Sequence, residues 1–157
     1  MVSLSRALSV LAAVCLIVPP AAGQGVDVGE PSKLRKLVPA EQLERTAARE
    51  YDQLKQAAAT KKALADADHP QVKRLRAIAA RLTPFAARFN PRATQWNWEI
   101  NLIGSKQINA FCMPGGKIAF FSGILDTLKL TDDEAAMVMG HEIAHALREH
   151  ARERMAK

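Results

Sequence analysis

The chain has 157 residues, 48% hydrophobic and 24% charged, which suits one globular domain plus a processing segment and excludes a disordered polar tail. A formal charge of +6 and a pI near 9.6 raise nucleic acid as a partner class. The lysines and arginines are interleaved with acids and alanines instead of forming a basic patch with aromatics, so no nucleic-acid partner is expected.

Residues 1–23 read as a secretory signal: Arg6 is the positive n-region, Ala7 to Val18 the apolar core, and Pro19-Pro20-Ala21-Ala22-Gly23 the small-residue cleavage region. An apolar run of that length falls short of the roughly 20 residues that span a bilayer, so the mature chain is expected to carry no transmembrane helix. Cys15 follows Val14, where a lipoprotein site would have a small residue, and it is expected to leave with the signal. Cys112 is then the sole cysteine of the mature chain, so no intramolecular disulfide can form.

Residues 24–39, with Gly25, Gly29, Pro31 and Pro39, form a linker by composition. A helical N-terminal region is expected over 40–94. Its first helix runs from Ala40 to about Ala65, with Leu43, Ala47, Tyr51 (or Glu50), Leu54 and Ala58 on one side. Asp66-Ala67-Asp68-His69-Pro70 ends it, with His69 as a turn residue and Pro70 opening the next helix. That helix reaches about Phe89 with Val72, Leu75, Ile78, Ala79, Leu82 and Phe85 as its core stripe, and Pro84 is expected to kink or shorten it.

After the turn at Asn90-Pro91-Arg92-Ala93 the period changes. Trp96, Trp98, Ile100 and Leu102 alternate with polar residues as in a half-buried strand, with the tryptophans as core residues. Ile108 to Phe111 and Lys117 to Phe121 read as further strands around Met113-Pro114-Gly115-Gly116. An extended segment beside a cleft can pair its free edge with a peptide backbone, which makes Gly115, Gly116, Lys117, Ile118 and Ala119 the candidate substrate-binding residues. Cys112 in this stretch is read as a small buried residue, not a nucleophile.

The most informative stretch is His141-Glu142-Ile143-Ala144-His145. Residues four apart share a helix face, so two imidazoles can reach one ion, and Glu142 flanks them where a general base would stand. By typical residue frequencies such a motif occurs by chance in roughly one chain of this length in a few hundred. Thr131-Asp132-Asp133-Glu134 is a capping box for the helix, and Ala136, Met139, Gly140, Ile143 and Leu147 give it a core stripe opposite the histidines. With no proline up to Lys157, the helix is expected to continue to the last residue. Arg148 and Ala151 stand where an extended His-Glu-x-x-His-x-x-Gly-x-x-His motif would have its glycine and third histidine. On a continuous helix His150 lies about 180° from His141 and is expected to face away. Glu149 stands about 12 Å along the axis, too far to close the site.

Asn109-Ala110-Phe111-x-x-Pro114-Gly115-Gly116-x-Ile118, Gly123-Ile124-Leu125 and His141-Glu142-Ile143-Ala144-His145-Ala146 together resemble the HtpX and CAAX prenyl protease group of zinc metallopeptidases. The likeness is greatest to its soluble, secreted bacterial branch, the beta-barrel assembly-enhancing protease type. It implies an α+β, zincin-like fold with a short antiparallel sheet and a catalytic domain over 95–157. It also implies Zn²⁺ on His141 and His145, Glu142 as catalytic base, and a polypeptide substrate. An exported protease of this type would act in the periplasm or at the periphery of the bacterial envelope, on outer-membrane or envelope proteins, in quality control. The family's third ligand is a glutamate in a Glu-x-Glu-Ala-Asp-like run. This sequence holds no such run, so the catalytic domain is expected to be incomplete and the chain itself inactive. A non-enzymatic helical adaptor and a basic envelope-binding module are the rival readings.

Overall fold

A computed structural model describes residues 37–156. The signal expected at 1–23 and most of the linker expected at 24–39 lie outside the described residues.

Helix α1 spans Ala40–Thr60 and buries Ala47, Tyr51 and Ala58, so the stripe selects Tyr51 over the exposed Glu50. It stops before Ala65 because Lys62 turns left-handed, at φ 53°, and the chain runs on beside the first strand. There the Ala65 amide donates to the Leu102 carbonyl at 3.0 Å. Helix α2, Pro70–Leu82, is capped by His69, whose Nδ1 accepts from the Gln71 amide at 3.2 Å. Pro84 then forces a 3₁₀ stretch over Thr83–Arg88. The tighter repeat moves the buried position to Ala86 and leaves Phe85 51% exposed, contrary to its expected place in the core.

A second 3₁₀ turn, Pro91–Gln95, delays the first strand until both tryptophans have passed. Strand β1 is Glu99–Ile103, β2 is Ala110–Met113 and β3 is Lys117–Phe121. The sheet is mixed, not antiparallel throughout, in the order β1-β3-β2. Ile100 pairs with Ile118 in parallel and Ala110 with Phe120 antiparallel. The loop 104–109 carries the chain past one strand position, and the Pro114-Gly115-Gly116 turn folds β3 back into that slot. Gly116 is required twice over: its φ is 78°, and a Cβ there would stand 2.8 Å from the Trp98 ring. Helix α3, Ser122–Leu128, follows β3 at once, where the sequence showed no periodic signal. Its Gly123 amide donates to the Ser105 carbonyl at 2.7 Å, and a Cβ would meet the Lys106 and Gln107 backbone at 2.5 Å.

Helix α4, Asp132–Leu147, begins at the expected capping box, with Thr131 Oγ1 and the Glu134 side chain bonded reciprocally. It buries Ala135, Met139, Ile143, Ala146 and Leu147. α2 and α4 cover one face of the sheet, packing Val72, Leu75, Met139 and Ile143 on Ile100, Leu102, Ile118 and Phe120. α1 covers the other face with Tyr51 and Ala58 on Ile103 and Ala119. Each buried aliphatic side chain contributes about 1.5–3 kcal/mol, so this three-layer core is what holds the face of α4 that carries the histidines toward solvent. Residues 70–93 of the expected helical region share this core with the sheet and α4.

The motif helix does not run on to Lys157. The buried Asn90 donates from Nδ2 to the Leu147 carbonyl at 3.0 Å, and Glu149 is left-handed at φ 58°, so α4 closes at Leu147. A short helix α5, His150–Met155, leaves in a new direction.

Candidate metal centre

α4 places His141 and His145 one turn apart on its exposed face, with the rings edge to face at 4.5 Å between centroids. Their Nε2 atoms face each other at 3.0 Å. Two nitrogens bound to one tetrahedral zinc at about 2.0–2.1 Å stand about 3.3–3.4 Å apart, so a small opening of the pair would seat the ion. Glu142, half-buried, lines a cleft of about 280 Å³ together with Phe111, Cys112, Pro114, His145 and His150. This cleft shares Phe111, Cys112 and Pro114 with a wider, largely apolar groove of about 800 Å³ between α1, β2 and α5. Among the described residues no group of three or more His, Cys, Asp or Glu is placed to hold a metal ion. The histidine pair therefore fits a metal as two of its ligands.

The break at Glu149 brings back a residue that helical geometry had sent away. His150 stands against His145, with 4.8 Å between ring centroids and 2.6 Å between the two Nδ1 atoms. Arg148 Nε approaches His150 Nε2 at 3.2 Å. Burial holds the His150 imidazole below its ordinary pKa, and the charges of His145 and Arg148 add to the effect. Glu149 also lines the cleft, with its carboxylate in a two-oxygen pair with Arg152 Nη1 at 3.0 and 3.1 Å. Nothing in the sequence marked this turn, because a left-handed glutamate in a run without glycine or proline leaves no compositional trace.

The candidate substrate residues are displaced as well. Lys117, Ile118 and Ala119 lie on the central strand, hydrogen-bonded on both sides, and cannot offer a free edge. Lys117 Nζ donates to the Asn97 carbonyl at 2.8 Å, and the Ile118 carbonyl accepts from the Tyr51 hydroxyl. Gly115 and Gly116 pack on Glu44 and Trp98. The open edge belongs to β2, whose Phe111 and Cys112 line the cleft beside Glu142 and His145. The hairpin glycines told that two strands meet here. They could not tell which one the distant β1 would cover. Cys112 is half-buried on the cleft wall and not fully buried, and desolvation, then the Glu142 carboxylate, push its thiol up to about 12, against a role as nucleophile.

The sequence matches Peptidase family M48 over residues 70–157, more than half of the chain. The mitochondrial metalloendopeptidase OMA1 of Arabidopsis thaliana is 43% identical over 61 residues, which cover 39% of this chain and 12% of that protein. The mitochondrial metalloendopeptidase OMA1 of Homo sapiens is 42% identical over 65 residues, covering 41% of this chain and 12% of that protein. The metalloprotease LoiP of Escherichia coli K12 is 33% identical over 104 residues, covering 66% of this chain and 38% of that protein. The chain thus spans only a minor part of the length of these curated relatives. No solved structure matches it.

Proposed function

The chain belongs to peptidase family M48, and on that premise we propose that it is a zinc-dependent metalloendopeptidase in which His141 and His145 hold the metal and Glu142 is the general base. The observation that carries this reading is the pair of Nε2 atoms facing each other at 3.0 Å with Glu142 on the adjoining cleft wall. When bound, zinc would supply Lewis-acid polarisation of the scissile carbonyl and a lowered pKa for the attacking water. Glu142 stands on the cleft wall where its carboxylate would take a proton from the attacking water and pass it to the leaving amine. The open edge of β2 at Phe111 and Cys112 aligns an extended substrate backbone, and the apolar groove toward α1 receives side chains on one flank of the scissile bond. By the resemblance, a glutamate outside the motif helix would be the third ligand.

Export fits the same reading. The amino-terminal signal sends the product to the periplasm or the envelope surface, where misfolded envelope proteins are its substrates. No helix among the described residues is long and apolar enough to cross a membrane. In a Gram-negative host the product is expected in the periplasm with its amino terminus near Ala22 to Gln24, and a cytoplasmic product that begins at Met1 would contradict export.

The site reading is tested with the metal and the reaction measured separately. His141→Ala and His145→Ala should each lose bound zinc. Glu142→Gln, made in a chain extended to carry the third ligand, should retain zinc and lose casein hydrolysis by at least ~10²-fold. Parent-like zinc content in both histidine variants would rule out the site, and parent-like turnover in Glu142→Gln would rule out the base.

A further inference from the structure

Along the whole chain cations and acids are interleaved, but residues 69–98 depart from that pattern: they hold Lys73, Arg74, Arg76, Arg81, Arg88 and Arg92 and no aspartate or glutamate. The fold draws Lys73, Arg74 and Arg92 into ion pairs with acids from outside the stretch, Asp68, Asp132, Glu41 and Glu44. Arg76, Arg81 and Arg88 are exposed, and among the described residues no carboxylate pairs with any of them.

The same end of α2 exposes two aromatic rings. The 3₁₀ stretch that Pro84 forces turns Phe85 outward, and Phe89, directly after it, is 76% exposed. Three residues make one 3₁₀ turn, so Arg88 stands over Phe85, its guanidinium carbon 5.2 Å from the ring centroid. α2 continues this surface with Arg76, Ala77, Ala80 and Arg81 on its exposed side. A single exposed apolar residue needs no explanation. Two rings set among arginines that have no acid partner call for a surface with anionic groups at the level of the guanidinium groups and hydrocarbon just beneath them. A phospholipid bilayer is built that way. We propose that the end of α2 and the 3₁₀ turn after it form a docking surface for an anionic phospholipid membrane, with Phe85 and Phe89 entering the acyl boundary and Arg76, Arg81 and Arg88 meeting the phosphates.

A single-stranded nucleic acid also takes cations and aromatics, but it needs ring faces free for bases to stack on, and Arg88 covers a face of Phe85. The position of the patch suits a membrane. α2 packs against β1 and α4 against β2, so the patch lies across α4 from the metal cleft, and none of its residues lines that cleft or the apolar groove. A domain docked through it keeps the cleft clear of the lipid. This inference stands apart from the metal-site reading: it uses none of that site's residues and holds whether or not His141 and His145 bind zinc.

The test uses the full chain with Phe89→Trp and vesicles of brominated phosphatidylcholine, with and without phosphatidylglycerol. Quenching of the added fluorescence reports lipid contact at the patch itself, so contact through residues 1–36 is not counted, and the parent with Trp96 and Trp98 gives the baseline. Phe89→Trp should be quenched by the vesicles that contain phosphatidylglycerol, and the quenching should weaken steeply as salt is raised. In that background Arg81→Gln with Arg88→Gln should shift the titration about 20–30-fold, near fivefold per charge. Phe85→Ser should shift it about 10-fold. All of these side chains are exposed, so the circular dichroism should match the parent. Three results would overturn the proposal: no quenching in Phe89→Trp, equal quenching without phosphatidylglycerol, or titrations in the arginine and Phe85→Ser variants that match Phe89→Trp alone. In place of quenching, self-association or oligonucleotide binding that the arginine variants abolish would assign the patch to a second copy or to nucleic acid, and would overturn the proposal as well.

Discussion

Cys112 shows how one residue can be read from sequence while its setting cannot. A lone cysteine in a strand-like run is most often a small buried residue, whereas the structure leaves Cys112 half-buried on the cleft wall, where desolvation raises its thiol to about 12 and the Glu142 carboxylate adds to the shift. At pH 8 the thiolate population is therefore negligible, and a thiol reagent such as Ellman's should leave the folded chain unmodified while reacting fully in denaturant. Rapid modification of the native chain would mean that the thiolate is accessible. His150 is the opposite case. Its type was noted in the sequence, but its direction depends on a single φ angle two residues after the end of α4. Lys117 to Ala119 form the strand that their pattern indicates, but at the centre of the sheet and not at an open edge, because edge or centre is decided by the distant parallel partner β1.

At the scale of elements, the signals that read well were local ones. The capping box at Thr131, the proline at the start of α2 and the glycine turn between β2 and β3 each act over a few residues, and each is present. The end of α4 is different, since its capping partner comes from far along the chain. Asn90 closes a 3₁₀ turn through Oδ1, accepting from the Arg92 amide at 3.0 Å, and with Nδ2 satisfies the Leu147 carbonyl. Such a bond is invisible to periodicity. Asn90→Ala leaves the carbonyl of Leu147 without this donor in a buried place and is expected to cost about 1–3 kcal/mol, read as a lowered urea midpoint with an unchanged slope. The N-terminal cap variant Thr131→Ala should cost about 1 kcal/mol. A parent-like midpoint in Asn90→Ala would show that the left-handed Glu149 holds the turn without it.

At the scale of the whole molecule, the sheet is clamped between two layers, and the α1 layer is held by buried polar chemistry as well as by apolar packing. Tyr51 is fully buried under the sheet, its hydroxyl donating to the Ile118 carbonyl and accepting from Asn101 Nδ2 at 3.2 Å. Burial raises the Tyr51 hydroxyl far above its ordinary value, against a partial offset from the Asn101 hydrogen bond. Cys112, on β2 and packed toward the α4 side of the sheet, is raised to about 12. Both groups bind their protons more tightly in the folded chain than in the unfolded one. The unfolded chain releases the thiol proton near pH 9 and the phenol proton near pH 10, while the folded chain retains both. Unfolding then releases protons, so stability contributed by these groups is complete below about pH 9 and declines as pH rises beyond it, more steeply once Tyr51 joins above about pH 10. Lys55 acts in the same direction: its bonds to Glu99 and Asp52 raise its pKa, and that stabilisation is lost as it deprotonates. Urea midpoints should therefore hold level between pH 7 and 8.5 and drop progressively from pH 9 to 11. Tyr51→Phe should be less stable than the parent at pH 7, through the lost bond to the Ile118 carbonyl, yet show a shallower decline above pH 10. A parent midpoint that stays flat to pH 11, or a decline equally steep in Tyr51→Phe, would show that Tyr51 is not what couples the α1 layer to alkaline pH.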